Sequence, residues 1–86
     1  MKHVYTSVDI GSDTIKVVVC ELYNNKLNLL AASSVKSAGI KKGLIVDGHK
    51  ASTSLKKAIK NVEEMLGIKL KKLLLQYQII FLNLLL

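Results

Sequence analysis

Two β-type runs joined by a single glycine turn constrain this chain more than any other feature. Val4, Thr6, Val8 and Ile10 alternate with Tyr5, Ser7 and Asp9, the period-two pattern of a strand with one buried face. Gly11-Ser12-Asp13 breaks the run with residues that favour tight turns. The chain resumes from Thr14 to Leu22 around Ile15 and Val17-Val18-Val19, β-branched side chains suited to a well-buried strand. Asn24-Asn25 follows, and asparagine tolerates the left-handed angles of a tight hairpin turn. A third run, Lys26 to Val35, is apolar at Leu27, Leu29, Leu30 and Ala31. Strands joined by turns this short pair antiparallel, so residues 4 to 35 predict a three-stranded meander.

The next stretch, Lys36 to Gly48, holds Gly39, Gly43 and Gly48. Its apolar members Ile40, Leu44, Ile45 and Val46 suit packing or a short strand. Asp47 is a helix N-cap, because its carboxylate accepts from an otherwise unpaired amide of the first turn. From there Ala51, Leu55, Ala58, Ile59, Val62 and Leu66 recur at intervals of three and four, which places them on one helix face. Lys56, Lys57, Lys60, Glu63 and Glu64 take the other side, and Gly67 supplies the C-terminal stop. After Gly67, Ile68 to Tyr77 predicts the start of a fourth strand. The order strand, strand, strand, helix, strand sets it parallel to an earlier one through a right-handed crossover.

Composition then divides the chain. All of its charged residues lie in residues 1–72, whereas from Leu73 to Leu86 only Gln76, Gln78 and Asn83 are strongly polar. The apolar stretch is shorter than the roughly 20 residues of a membrane-spanning helix. No secretory signal is visible either, since Asp9 interrupts the start before an apolar core develops. With 86 residues an independent core is marginal, as chains of this size bury only about 60% of their unfolded surface.

The formal net charge is +7, and every basic residue is a lysine. Specific contacts to phosphates and bases generally enlist arginine's planar fork, which is missing. The lysines are dispersed from Lys2 to Lys72, so a solvated surface is expected and no nucleic-acid partner. Tyr5, Tyr23, Tyr77 and Phe81 are too scattered for a base-stacking platform. Cys20 is the only thiol; it has no disulfide partner within the chain, and a buried structural thiol in a reducing, cytoplasmic setting is expected. His3 and His49 are far apart, which argues against zinc.

The stretch that can carry chemistry is Asp9-Ile10-Gly11-Ser12-Asp13-Thr14-Ile15-Lys16. A strand-turn-strand with a glycine lets backbone amides approach a phosphate. Ser12 and Thr14 add hydroxyl donors and Lys16 a positive charge, if strand alternation points it at the same ligand. Asp9 can hold a hydrated Mg²⁺ through water. The same residues also suit an ordinary polar hairpin turn, and short glycine motifs match by chance. It is not a Walker loop, because no Gly-Lys-Ser/Thr ending and no directly following helix is present.

Val8-Asp9-Ile10-Gly11-Ser12-Asp13-Thr14-Ile15-Lys16-Val17, continued by Val18-Val19-Cys20 and Glu21, resembles the first phosphate motif of the actin, Hsp70 and sugar-kinase superfamily. Ser37-Ala38-Gly39-Ile40-Lys41-Lys42-Gly43-Leu44-Ile45-Val46-Asp47 is similar to the segment before the first helix in FtsA, the bacterial cell-division actin homologue. Asn61-Val62-Glu63-Glu64-Met65-Leu66-Gly67 is similar to the end of that helix. The resemblance covers roughly residues 3 to 72 and implies an α/β fold: the opening of an RNase H-like actin/Hsp70 ATPase subdomain, with meander, helix and the start of a return strand, left incomplete. It also implies that Asp9, Gly11, Ser12, Asp13, Thr14 and Lys16 bind the phosphates of ATP, with Mg²⁺ at Asp9. Proteins of this family bind ATP between two lobes, polymerise, attach to the inner face of the cell membrane by a C-terminal amphipathic helix, and recruit FtsZ to the division site. Other members of the superfamily serve pilus assembly, chaperoning or sugar phosphorylation, and a small basic nucleic-acid- or membrane-binding protein is the remaining alternative.

Past Lys72 the resemblance stops. FtsA-like proteins continue there in mixed polarity with a proline, whereas this chain has no proline and ends in leucines. A reading-frame shift in an AT-rich gene gives such a switch, so residues 73–86 are expected to be out of frame and the product truncated. The competing expectation is a genuine short protein whose apolar tail docks on a partner or lies at a membrane surface. With one phosphate loop and no membrane-attachment segment, the chain alone is expected to bind ATP weakly and to lack ATPase activity, which needs both sides of the cleft.

Overall fold

The computed structural model describes residues 3–42, 44–69 and 78–82. Strand β1, Val4–Ile10, pairs antiparallel with β2, Thr14–Tyr23, which pairs antiparallel with β3, Lys26–Lys36. The register sets Val8 opposite Val17 and Thr6 opposite Val19. Period-two alternation therefore gathers Val4, Thr6 and Val8 with Ile15, Val17 and Val19 on one face. All six are buried. Asn24 and Asn25, at φ 51° and 61°, form the turn between β2 and β3, with the left-handed angles at both central positions that suit a right-twisted hairpin.

The third strand needs one irregularity to use its apolar run. Val19 pairs with Ala31 but Cys20 pairs with Leu29, so Leu30 is an extra residue in a β-bulge. Ala31 and Val35 reach the core and Leu30 packs against it. Leu27 and Leu29, in contrast, are 68% and 65% exposed, because the bulge sets Leu29 opposite Cys20 and Leu27 opposite Leu22, on the face of the sheet away from α1.

That helix, α1, runs Gly48–Leu66 and packs on β2 and β3. Asp47 caps it as expected: its Oδ1 accepts from the Lys50 N–H at 3.1 Å. Gly67, at φ 69°, closes it with its N–H donating to the Glu63 carbonyl. Ser54, Ala58 and Val62 form the buried stripe, with Leu55, Ile59 and Leu66 packed around it. Fully buried Val62 contributes at the low end of about 1.5–3 kcal/mol through removal from water, and the partly buried leucines and isoleucine a fraction of that range each. Two polar contacts fix the docking: Asn61 Nδ2 donates to Ser33 Oγ, and the Ala38 N–H donates to Ser54 Oγ, both at 3.2 Å.

Between β3 and α1 the chain makes a second, two-stranded sheet from β4, Ile40–Lys41, and β5, Leu44–Ile45. The Gly39 carbonyl accepts from the N–H groups of Val46 and Asp47, at 2.8 and 3.1 Å, so the base of this hairpin is tied to the helix start. Strand β6, Gln78–Leu82, pairs parallel with β1, and the main sheet has the order β3-β2-β1-β6. A parallel return strand is thus present, as the element order led one to expect. Ile68 and Lys69 lie in no strand, and residues 70–77 of the expected segment fall outside the described residues. Among the described residues no helix is long and apolar enough to cross a membrane.

Candidate phosphate-binding loop

The register of β1 and β2 runs without a break to Ile10 opposite Ile15, so the turn is confined to Gly11-Ser12-Asp13-Thr14. The Gly11 N–H donates to the Thr14 carbonyl at 3.0 Å and closes the loop from within. A Cβ added to Gly11 would lie 3.2 Å from that same carbonyl oxygen, tighter than ordinary van der Waals contact. Glycine suits the position, and a side chain there would press the Thr14 carbonyl back by a few tenths of an ångström. A second tie comes from outside the hairpin, where the Ser37 N–H donates to the Asp13 carbonyl at 2.8 Å.

Alternation decides which side chains share a face. Ile10 and Ile15 belong to the helix side of the sheet, so Asp9, Thr14 and Lys16 take the open side, away from α1. Asp9 and Lys16 stand directly opposite each other in the register. One acidic and one basic side chain thus flank the loop on a single surface. Lys16 and Asp13 are exposed, while Asp9, Ser12 and Thr14 are half-buried. A polyphosphate lying across the open face would meet loop backbone, the Thr14 hydroxyl and the Lys16 ammonium together.

The donor set also bears on a metal. Among the described residues no group of three or more His, Cys, Asp or Glu side chains comes together, so a dedicated protein cage is not built. Mg²⁺ usually keeps several waters and takes only one or two carboxylates beside substrate phosphates. One half-buried carboxylate, Asp9, beside the loop fits that mode of holding.

Two residues behave otherwise than the sequence suggested. Cys20 is only half-buried, since alternation from Val19 turns it to the open face. There it lines an apolar groove of about 300 Å³ with Tyr5, Ser7, Val18 and Leu27. Ser37, which carried no role of its own in the sequence reading, proves to be the residue that anchors the loop from β3. Its only advance signal was its place at the head of the FtsA-like segment Ser37 to Asp47.

No family model matches the chain. It is 45% identical over 67 residues to the cell division protein FtsA of Streptococcus pneumoniae serotype 2, which covers 78% of this chain and 15% of that protein. It is 41% identical over 68 residues to FtsA of Bacillus subtilis, covering 79% of this chain and 16% of that protein. FtsA of Staphylococcus epidermidis is 35% identical over 79 residues, 92% of this chain and 17% of the relative; a match of that length runs past residue 72 into the apolar segment. Among solved structures, a diol dehydratase-reactivating factor in nucleotide-free form superimposes with a TM-score of 0.56 at 20% identity, over 78% of this chain and 10% of that one. That likeness shows the fold alone, an antiparallel meander followed by a helix, as at the opening of an actin-like subdomain. The chain matches FtsA as a fragment would: curated FtsA proteins are similar to it over most of its residues, and it spans about 15% of their length.

Proposed function

We propose that this chain is the first phosphate-binding segment of an FtsA-type cell division protein. In this reading the backbone of Gly11-Ser12-Asp13-Thr14 cradles the phosphates of ATP. The Ser12 and Thr14 hydroxyls donate to them, Lys16 balances their charge, and Asp9 orients a hydrated Mg²⁺ through water. The observation that carries it is the closure of β1 and β2 onto a four-residue glycine turn, with Asp9 and Lys16 paired on the open face beside it. Bound Mg²⁺-ATP supplies the phosphoryl group and its countercharge; the chain's own residues bind and orient it.

The complete protein would bind ATP between two lobes, polymerise, and link FtsZ to the cytoplasmic face of the membrane at the septum. The segment in hand supplies one side of such a cleft. Catalysis by positioning needs both sides, so weak binding and negligible ATP turnover are expected of the isolated chain. Phosphorus NMR of Mg²⁺-ATP with increasing amounts of the chain tests the loop. Broadening or shift of the phosphate signals, lost on Gly11→Val, supports the reading. Signals unchanged at saturating chain, or equally changed by Gly11→Val, contradict it.

A further inference from the structure

Ser37 stands just beyond β3, against the turn that joins β1 to β2. Its N–H is in use, donating to the Asp13 carbonyl. Its hydroxyl is not: Ser37 Oγ is buried and has no hydrogen-bond partner. Buried hydroxyls are nearly always partnered, and one left unpaired is unfavourable. The other serine hydroxyls near β3 follow that rule, Ser33 Oγ accepting from Asn61 and Ser54 Oγ from the Ala38 N–H. An orphan at this one position, next to the candidate loop, calls for a partner that the ligand-free fold does not provide.

The geometry of an anion-binding turn supplies one. A loop that points successive N–H groups at a phosphate rotates those peptide planes, so their carbonyls turn back towards the protein. Each such carbonyl needs a donor on the inner side. Ser37 occupies that side, and its amide already serves Asp13 in this way. We infer that Ser37 is a positioning residue for the phosphate loop, its buried hydroxyl donating to a loop carbonyl that turns inward when Gly11–Thr14 closes on a phosphate. The inference rests on the phosphate-binding reading of this loop and adds to it a residue from outside the β1–β2 hairpin, just past β3.

The test compares the chain with Ser37→Ala and Ser37→Thr, titrated with Mg²⁺-ATP while the amide signals of Gly11 to Thr14 are followed, and melted without ligand. Ser37→Ala should melt at or above the parent temperature, because it removes an unpaired buried group. It should bind about fivefold more weakly, the worth of one ordinary hydrogen bond, and Ser37→Thr should retain most of the affinity. Parent-like binding by Ser37→Ala overturns the inference while leaving the loop reading intact. A lower melting temperature in Ser37→Ala overturns it too, since the hydroxyl would then be holding the ligand-free fold. Absence of saturable shifts in the parent chain overturns the loop reading, and the role of Ser37 with it.

Discussion

Alanine at Gly39 should remove most of the chain's stability, and the structure says why. Gly39 has φ +77°, where a side chain costs roughly 1 kcal/mol or more. The added Cβ would also lie 2.2 Å from the Asp47 carbonyl oxygen and 2.9 Å from the Ala51 nitrogen. Both are backbone atoms, so no rotamer change relieves the overlap and the start of α1 has to move. That movement strains the two hydrogen bonds accepted by the Gly39 carbonyl, each worth about 1 kcal/mol. It also disturbs the Asp47 cap, worth about 1 kcal/mol. Together these amount to about 3–4 kcal/mol, against a total of about 3–5 kcal/mol for one core of this size. Gly48→Ala is the matched control, because a Cβ there meets nothing within 4 Å. Urea denaturation followed by far-ultraviolet circular dichroism should show Gly48→Ala unfolding near the parent midpoint and Gly39→Ala largely unfolded without denaturant. A Gly39→Ala midpoint as mild as that of Gly48→Ala would refute the reasoning.

Other perturbations separate the contributions. Asp47→Ala removes the bond to the Lys50 N–H and should cost about 1 kcal/mol, read as a lowered urea midpoint with unchanged slope. Val62→Ala empties part of a fully buried site between α1 and the sheet and should cost about 2 kcal/mol. Leu27→Ser, at an exposed position, should change stability by no more than about 0.5 kcal/mol. For residues 73–86 we propose a shifted reading frame, against the rival that the 79-residue match running past residue 72 marks an in-frame continuation: sequencing the gene should reveal a single-base insertion or deletion near the codon for Leu73 whose correction restores an FtsA-like continuation. A DNA sequence that admits no such correction would contradict it.

The meander and the helix were legible because their signals are local. Alternation in Val4–Ile10, the Asn24-Asn25 turn, the Asp47 cap and the Gly67 stop each act within a few residues, and the structure places them as the residues demand. Leu27, Leu29 and Cys20 were harder, because the bulge at Leu30 decides which face the leucines take, and all three stand on the face away from α1. The helix stripe shows the same limit: Ser54 sits in it beside Ala58 and Val62, held by a hydrogen bond to the Ala38 amide that no apolar periodicity announces. For strand β6 the element order told its direction, parallel to β1, but a uniformly apolar stretch has no turn signals to fix which of its residues pair. At the loop, the sequence named the residues between β1 and β2, while the tie from Ser37 depends on the return of β3 and became visible only in three dimensions.

The central claim is that Gly11–Thr14 forms a phosphate site, and two-dimensional amide NMR of the chain titrated with Mg²⁺-ATP tests it most directly. A phosphate site there gives saturable shifts concentrated at Gly11 to Thr14 and Lys16, with smaller ones at Ser37 and none along the exposed side of α1. A folded spectrum in which those amides do not move, or in which shifts follow the surface lysines instead, would contradict it.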